Sequence, residues 1–187
     1  IVDLVRRIKQ IPGVRALSMT TNGVLFANLA EPLKRAGLQR VNFSLDTLDP
    51  EKFRQLTRRG SLADVWQGIQ AAEAAGLLPI KDNAVVARGY SDDEHVEMAR
   101  LTLEHAWQVR FIELMPFAGA TDFQTAQVVP ADEMMQRIAT ALGPLSPLDG
   151  GKLDGEARLF RLDGSLGTIG FINTISQPFC ASCTRAG

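Results

Sequence analysis

The stretch RVNFSLD, residues 40–46, decides the fold class because its apolar and polar residues alternate strictly. Alternation with a period of two is typical of a β-strand whose two faces meet different surroundings. A similar run at residues 16–21 ends at Asn22-Gly23, a dipeptide that breaks strands. The apolar face of the first stretch carries Val41, Phe43 and Leu45, and its polar face carries Asn42, Ser44 and Asp46.

Helical patterns separate these strands from one another and from two more. Apolar residues recur every three to four positions in each helix, and the strands are spaced by about 25 to 40 residues, which predicts parallel strands joined by crossover helices. The predicted helices begin near residues 1, 25, 62 and 92, with Leu25, Leu29, Leu33 and Ala36 as the stripe of the second. The predicted strands are 16–21, 41–46, 80–86 and 109–115.

Polar strand faces need an explanation, because strands of parallel sheets are usually covered on both faces and nearly all apolar. A ligand-filled lumen supplies one, so we predict an α/β fold with a partial parallel (β/α) barrel. The alternative is an antiparallel sheet with one solvated face. Linkers of helical length, in place of hairpin turns, disfavour it.

After residue 115 the pattern changes. We predict a polar loop at 116–127, a helix striped by Met134, Ile138 and Leu142, and a linker at 144–155. An antiparallel hairpin of strands 158–162 and 167–175 follows and leads into the cysteine segment. The predicted domains are therefore 1–116, the central part of the barrel, and 117–187, a C-terminal extension.

Both cysteines of the chain, Cys180 and Cys183, stand at C-x-x-C spacing. Two thiolates at this spacing can share a metal ion or a cluster iron, but a zinc site needs four ligands and a cubane cluster three or four thiolates. The remaining ligands would lie outside this chain. A redox pair and two structural thiols are the alternatives, and the absence of a predicted helix after the pair disfavours the redox reading.

Composition excludes several classes of protein. The 187 residues are 45% hydrophobic and 22% charged with a formal net charge of −1, which indicates a folded globular protein without a global field for nucleic acid or membranes. No apolar run reaches membrane-spanning length and no signal-peptide pattern begins the chain. We therefore expect a cytoplasmic protein with no nucleic-acid or membrane partner.

A few basic residues are candidates for binding an anion. Lys81 lies in a strand otherwise suited to burial, where a lysine is costly unless an anion or a carbonyl substrate meets it. Arg110 opens the fourth strand and would reach a phosphate, although an exposed strand end is the alternative. Arg185 follows Cys183 by two residues. Met115 ends a strand, where barrel sites form. His95 and His105 have no ligand partner at suitable spacing.

Five motifs in this order carry a family resemblance: SMTTNG at 18–23, RVNFSLD at 40–46, Ile80-Lys81 through Val86, RFIELMP at 110–116 and PFCASCTR at 178–185. The chain closely resembles the MoaA family, the radical SAM GTP 3′,8-cyclases of molybdenum cofactor biosynthesis, over essentially its whole length. The resemblance implies a lyase with two 4Fe-4S clusters that uses S-adenosyl-L-methionine and converts GTP to 3′,8-cyclo-7,8-dihydro-GTP. The resemblance is also compatible with a homodimer.

The resemblance also implies roles for individual residues. Ser44 and Met115 would contact S-adenosylmethionine, and Cys180 and Cys183 would ligate the second cluster. The GTP site would include Thr20, Lys81, Arg110 and Arg185. No catalytic residue is assigned by it.

This chain departs from the family pattern in two ways. It lacks the amino-terminal three-cysteine motif and the last cysteine of the second cluster, so we expect a fragment that is inactive alone. Asp82 stands where the family usually has an apolar residue. Two other functions stay open: a barrel aldolase with Lys81 as Schiff-base nucleophile, and a nucleotide-binding domain without catalysis.

Overall fold

The computed structural model describes residues 1–115, 126–148 and 153–177. The chain divides into two compact units, Ile1–Asp82 and Asn83–Gly187. Strand β3, Lys81–Val86, begins in the first unit and ends in the second.

The first unit alternates helices with parallel strands. Its helices are α1 (Val2–Lys9), α2 (Ala30–Ala36), α3 (Pro50–Thr57) and α4 (Leu62–Ala74). Its strands are β1 (Ser18–Thr21) and β2 (Arg40–Ser44), followed by the first two residues of β3. β1 and β2 pair in parallel, with Thr20 opposite Asn42, as the crossover pattern predicts.

The core of this unit lies on the apolar face of β2. Val41, Phe43 and Leu45 are buried, and the ring of Phe43 makes an edge contact with Phe26 at 5.5 Å between centroids. Helix α4 covers the same core with Val65 and Ile69, and it begins at a capping box formed by Ser61 and Asp64. The predicted alternation of buried and accessible residues along β2 is thereby confirmed.

Two details of the first unit differ from the sequence prediction. Leu25 is 74% exposed, and Phe26 takes its place in the core because Phe26–Asn28 forms a 3₁₀ turn before α2 begins. Helix α3 was not predicted at all. Its start is encoded by Asp49, whose carboxylate accepts hydrogen bonds from the backbone N–H groups of Glu51 and Lys52, with Pro50 as first helical residue.

The second unit builds a mixed sheet. Its strands after β3 are β4 (Gln108–Glu113), β5 (Leu145–Pro147), β6 (Leu153–Asp154), β7 (Ala157–Leu162) and β8 (Thr168–Ile172). Strands β4 and β8 are parallel, whereas β7 is antiparallel to β8, β5 and β6. Helices α5 (His95–Glu104) and α6 (Ala131–Leu142) complete the described part of this unit.

The predicted hairpin is confirmed as β7 and β8, but the linker prediction for 144–155 is wrong in part. This segment contributes β5 and β6, both paired with β7. Their brevity and the proline in β5, which suits only an edge strand, concealed them in the sequence. The buried residues of α5 are His95, Met98, Ala99 and Thr102.

The α/β class with parallel strands and a C-terminal antiparallel hairpin agrees with the sequence prediction, and closure into a partial barrel stays a prediction. The predicted domain boundary near residue 116 falls on the segment 116–125, outside the described residues, and stays a prediction too. None of the helices described is long and apolar enough to cross a membrane.

Candidate functional site

The first unit presents a polar strand face opposite its core. Thr20 on β1 and Ser44 at the end of β2 are exposed, and Asn42 between them is half-buried. Thr20 lies beside Asn42 in the parallel register, so the two side chains project from the same face. Thr20, predicted to contact GTP, and Ser44, predicted to contact S-adenosylmethionine, therefore share one accessible face.

Lys81 and Asp82 occupy opposite faces at the start of β3. Lys81 is half-buried, whereas Asp82 is only 3% exposed. The Asp82 Oδ1 atom accepts a hydrogen bond of 3.1 Å from the backbone N–H of Leu45, the residue after Ser44. This hydrogen bond ties the start of β3 to the end of β2.

Arg110 lies inside the second unit, so the alternative of an exposed strand end is wrong. Its side chain is 7% exposed, and its Nε donates a 2.8 Å hydrogen bond to Oε1 of Gln108, two residues earlier on the same face of β4. Gly170 lies opposite it on β8, where a Cβ atom would approach the Arg110 Cγ to 3.0 Å. The missing side chain at Gly170 gives the arginine stem room to lie against the sheet.

Glu113 is the last residue of β4 and Met115 lies two residues beyond it, and the exposure of the two side chains is opposite. Met115 is 49% exposed, which leaves its thioether accessible to a ligand. Glu113 is fully buried, and its carboxylate accepts hydrogen bonds from the backbone N–H groups of Ala131, Ile175 and Ser176 and from the Ser176 hydroxyl.

The ionisation of Glu113 follows from these contacts. Burial acts to raise the pKa of its carboxyl, but the hydrogen bonds from Ser176, Ile175 and Ala131 outweigh it, and the pKa lies below its ordinary value. Glu113 is therefore a carboxylate at neutral pH, held by donors alone.

Cys180, Cys183 and Arg185 lie outside the described residues, as does Pro116. Two thiolates at C-x-x-C spacing are the ligand type that cluster iron takes, and they would supply part of the three or four thiolates that a cubane needs. Within the part of the chain that the structure describes, no group of three or more His, Cys, Asp or Glu side chains would hold a metal ion.

Neither histidine lies in a group of side chains that would hold a metal ion among the described residues. His95 is a core residue at 1% exposure, with its Nδ1 2.8 Å from the Asp92 carbonyl oxygen and its ring edge against Phe111. His105 stacks on Trp107 at 4.3 Å between ring centroids.

The sequence analysis missed Glu113 and treated Asp82 only as a departure from the family pattern. The signal that singled out Lys81, a charge in a strand suited to burial, applies equally to both carboxylates. Glu113 lies between the apolar Ile112 and Leu114 in a strand that the sequence predicts correctly. The rule that buried charges need partners would have marked it.

Comparison with known proteins places these residues in a family. A family model described as Radical SAM superfamily matches residues 1–102. The chain belongs to the radical SAM superfamily. A second model, described as Molybdenum Cofactor Synthesis C, matches residues 107–186. The first match contains the three motifs between residues 18 and 86, and the second contains the motifs at 110–116 and 178–185.

Curated relatives named GTP 3′,8-cyclase are similar to this radical SAM protein along nearly all of its length. The protein of Moorella thermoacetica is 49% identical over 185 residues, 99% of this chain and 57% of the relative. That of Pelotomaculum thermopropionicum is 46% identical over 183 residues, 98% of this chain and 56% of the relative. That of Geobacter sulfurreducens is 44% identical over 185 residues, 99% of this chain and 56% of the relative. The predicted resemblance to the cyclase family is confirmed, and the chain spans somewhat more than half the length of these relatives.

Proposed function

We propose that this chain supplies GTP- and S-adenosylmethionine-binding residues of a radical SAM GTP 3′,8-cyclase, a lyase of molybdenum cofactor biosynthesis. The observation that carries the proposal is the accessible polar face of β1 and β2, opposite the buried apolar side chains Val41 and Phe43. The similarity to curated cyclases at 44–49% identity supports the choice of substrate.

In the first unit we assign Ser44 to S-adenosylmethionine and Thr20 and Lys81 to GTP. The exposure of Ser44 and Thr20 leaves their hydroxyls available as donors and acceptors, which ribose and phosphate groups require. An ammonium at Lys81 would neutralise part of a triphosphate charge, and its half-buried position strengthens that attraction relative to a fully solvated lysine.

In the second unit we assign Arg110 and Arg185 to GTP, Met115 to S-adenosylmethionine, and Cys180 with Cys183 to the second 4Fe-4S cluster. The buried guanidinium of Arg110 suits this role because Arg presents several donors in a planar fork that matches phosphate oxygens. The accessible thioether of Met115 offers a soft, apolar contact.

When bound, the clusters and S-adenosylmethionine supply the hydrogen-abstracting radical chemistry of this superfamily. The residues of this chain hold and orient the two ligands, so that the ribose of GTP is presented to that chemistry. We also propose the partial barrel of the superfamily, with a domain boundary near residue 116. We further propose a cytoplasmic protein without nucleic-acid partners, since the net charge of −1 provides no field for them.

The test uses the full-length gene product that contains this chain, reconstituted anaerobically with iron and sulfide. Incubation with GTP, S-adenosylmethionine and a reductant should yield 3′,8-cyclo-7,8-dihydro-GTP, identified by mass spectrometry. Ser44→Leu should abolish the product, whereas Gln70→Leu, at an exposed position of α4, should not.

Two other outcomes would replace the proposal. Borohydride trapping of a carbonyl substrate on Lys81 would favour the aldolase, because reduction of a Schiff base leaves a stable covalent adduct. Binding of GTP without iron, and without any turnover after reconstitution, would favour a nucleotide-binding domain.

A further inference from the structure

Glu113 is the most completely buried carboxylate with several donors among the described residues. It is 0% exposed and accepts four hydrogen bonds, at 2.8 Å from Ala131 N–H, 2.8 Å from Ile175 N–H, 2.9 Å from Ser176 N–H and 2.5 Å from the Ser176 hydroxyl. A buried charge is tolerated only with such compensation. The cluster of donors shows that the charged form is the one for which this site is built.

The donors come from two separate parts of the second unit. Ala131 is the first residue of α6, and the other three donor groups belong to the segment that leaves β8. The side chain of Thr174 adds a 2.9 Å hydrogen bond to the backbone carbonyl of Glu113. Residues 174–176 are therefore held by both the main chain and the side chain of Glu113.

The parallel pairing of β4 with β8 explains how one residue reaches this segment. The register continues to Ile112 opposite Ile172, so both strands end at the same edge. Glu113 follows Ile112 directly, and the chain beyond β8 passes it on the way to the cysteine pair. Arg158 on β7 also donates a hydrogen bond to the Gln177 side chain, the last described residue before the cysteines.

The anchored segment and Glu113 both lie close in sequence to residues predicted to bind a ligand or cluster. Cys180 is four residues after Ser176, and Met115 is two residues after Glu113. Four residues span at most about 14 Å when fully extended. Fixing residues 174–176 thus fixes the end of the described chain that leads to the cysteine pair.

We infer that Glu113 is a positioning residue for the iron–sulfur cluster of Cys180 and Cys183: its carboxylate fixes the segment from which these ligands extend. The inference rests on the proposed function for the identity of the cluster. Anchoring of the segment itself does not depend on that function, and the test separates the two.

The decisive variant is Glu113→Gln in the full-length gene product, because its amide nearly preserves volume but presents an N–H₂ group to partners that are all donors. Glu133→Gln is the matched control. Glu133 is a partly buried carboxylate on α6 that accepts from Arg88 and Arg137 instead of from the 174–176 segment.

Hydrogen exchange measured by mass spectrometry reads the anchor directly. We expect amide exchange in the peptide containing residues 174–177 to be at least about tenfold faster in Glu113→Gln than in Glu133→Gln, as expected for loss of hydrogen-bonded protection. Equal exchange in the two variants would overturn the inference whatever the protein binds.

Cluster content gives the second readout. Iron and sulfide analysis with electron paramagnetic resonance should show the signal of the second cluster reduced at least about threefold in Glu113→Gln, with the signal of the first cluster retained. Unchanged signals of both clusters would contradict the positioning role. Absence of the second cluster from the wild-type protein would contradict the proposed function instead.

A milder variant covers the case in which Glu113→Gln does not fold. Ser176→Ala combined with Thr174→Val removes two side-chain hydrogen bonds of the segment and leaves the carboxylate with its backbone donors. Faster exchange at 174–177 and a shifted midpoint potential of the second cluster are expected. Wild-type values for both would overturn the inference.

Discussion

At the scale of single residues, the buried carboxylates Glu113 and Asp82 accept hydrogen bonds from partners that lie far away in sequence. The donors to Glu113 are 18, 62 and 63 residues distant, and the donor to Asp82 is 37 residues distant. The local sequence pattern shows that a charge in such a strand is unusual, but it does not show which groups donate hydrogen bonds to that charge. This is why sequence analysis found the strand of Glu113 and missed its role.

His95 provides a pH prediction at this scale. Burial lowers the pKa of its imidazole from the ordinary value of 6.5, with the nearby Arg137 charge acting in the same direction and the Asp92 carbonyl opposing them. The folded protein therefore binds fewer protons than the unfolded chain just below pH 6.5. The stability that the lowered pKa of His95 contributes is complete above pH 6.5 and is lost as the pH falls below that value.

We expect the melting temperature of the protein to fall between pH 7.5 and pH 5.5, and the fall to be smaller in His95→Gln, which cannot titrate. Thermal unfolding followed by circular dichroism at both pH values measures this. His105→Gln, at the half-buried histidine that stacks on Trp107, is the control and should retain the wild-type slope. Identical slopes for all three proteins would show that His95 does not control this pH dependence.

At the scale of elements, alternation along β2 was predictable because one residue step always reverses the face of a strand. The start of α4 was predictable because its capping box is local. The core position of Phe26 was not, because a 3₁₀ turn changes which residue points inward. The short strands β5 and β6 depend on pairing with β7, which local sequence does not encode.

The two faces of β2 should respond oppositely to substitution. Phe43→Ala should cost about 3–5 kcal/mol of unfolding free energy because it opens a cavity in the core. Ser44→Ala, at an exposed position, should change stability by less than about 0.5 kcal/mol but weaken S-adenosylmethionine binding. Urea denaturation and ligand titration measure the pair, and a larger loss of stability for Ser44→Ala would reverse the assigned faces.

Close packing of α4 against the turn after β1 gives a second prediction for elements. Glycine in a helix interior usually costs about 1 kcal/mol relative to alanine. A Cβ atom at Gly68 would nevertheless lie 2.5 Å from the backbone oxygen of Gly23. Gly68→Ala should therefore destabilise the protein by about 1–3 kcal/mol, the usual cost of overpacking.

Urea denaturation checks this value, with Gln70→Gly as the control. Gln70 is exposed on the same helix, so its replacement should show only the ordinary helical cost of about 1 kcal/mol. A stabilised Gly68→Ala protein would mean that the turn at Gly23 does not pack closely against α4.

At the scale of the whole molecule, five short motifs in order identified the family more securely than any single residue, and the family matches confirm it. The roles of individual residues rest on a smaller basis: an accessible polar face, a half-buried Lys81 and a buried Arg110. Sequence predicted these positions because charges in otherwise apolar strands are costly without a ligand or a partner.

Paired titration of GTP and S-adenosylmethionine into the Lys81→Ala variant of the full-length gene product tests the central claim most directly. Loss of one charge-assisted hydrogen bond should weaken GTP binding by about 1.5–3 kcal/mol, roughly 10- to 150-fold. The affinity for S-adenosylmethionine should stay within about twofold of wild type. In the control variant Lys9→Ala, on α1, the affinities for both ligands should stay within the same range. Unchanged GTP affinity, or equal losses for the two ligands, would contradict the assignment of this strand face to GTP.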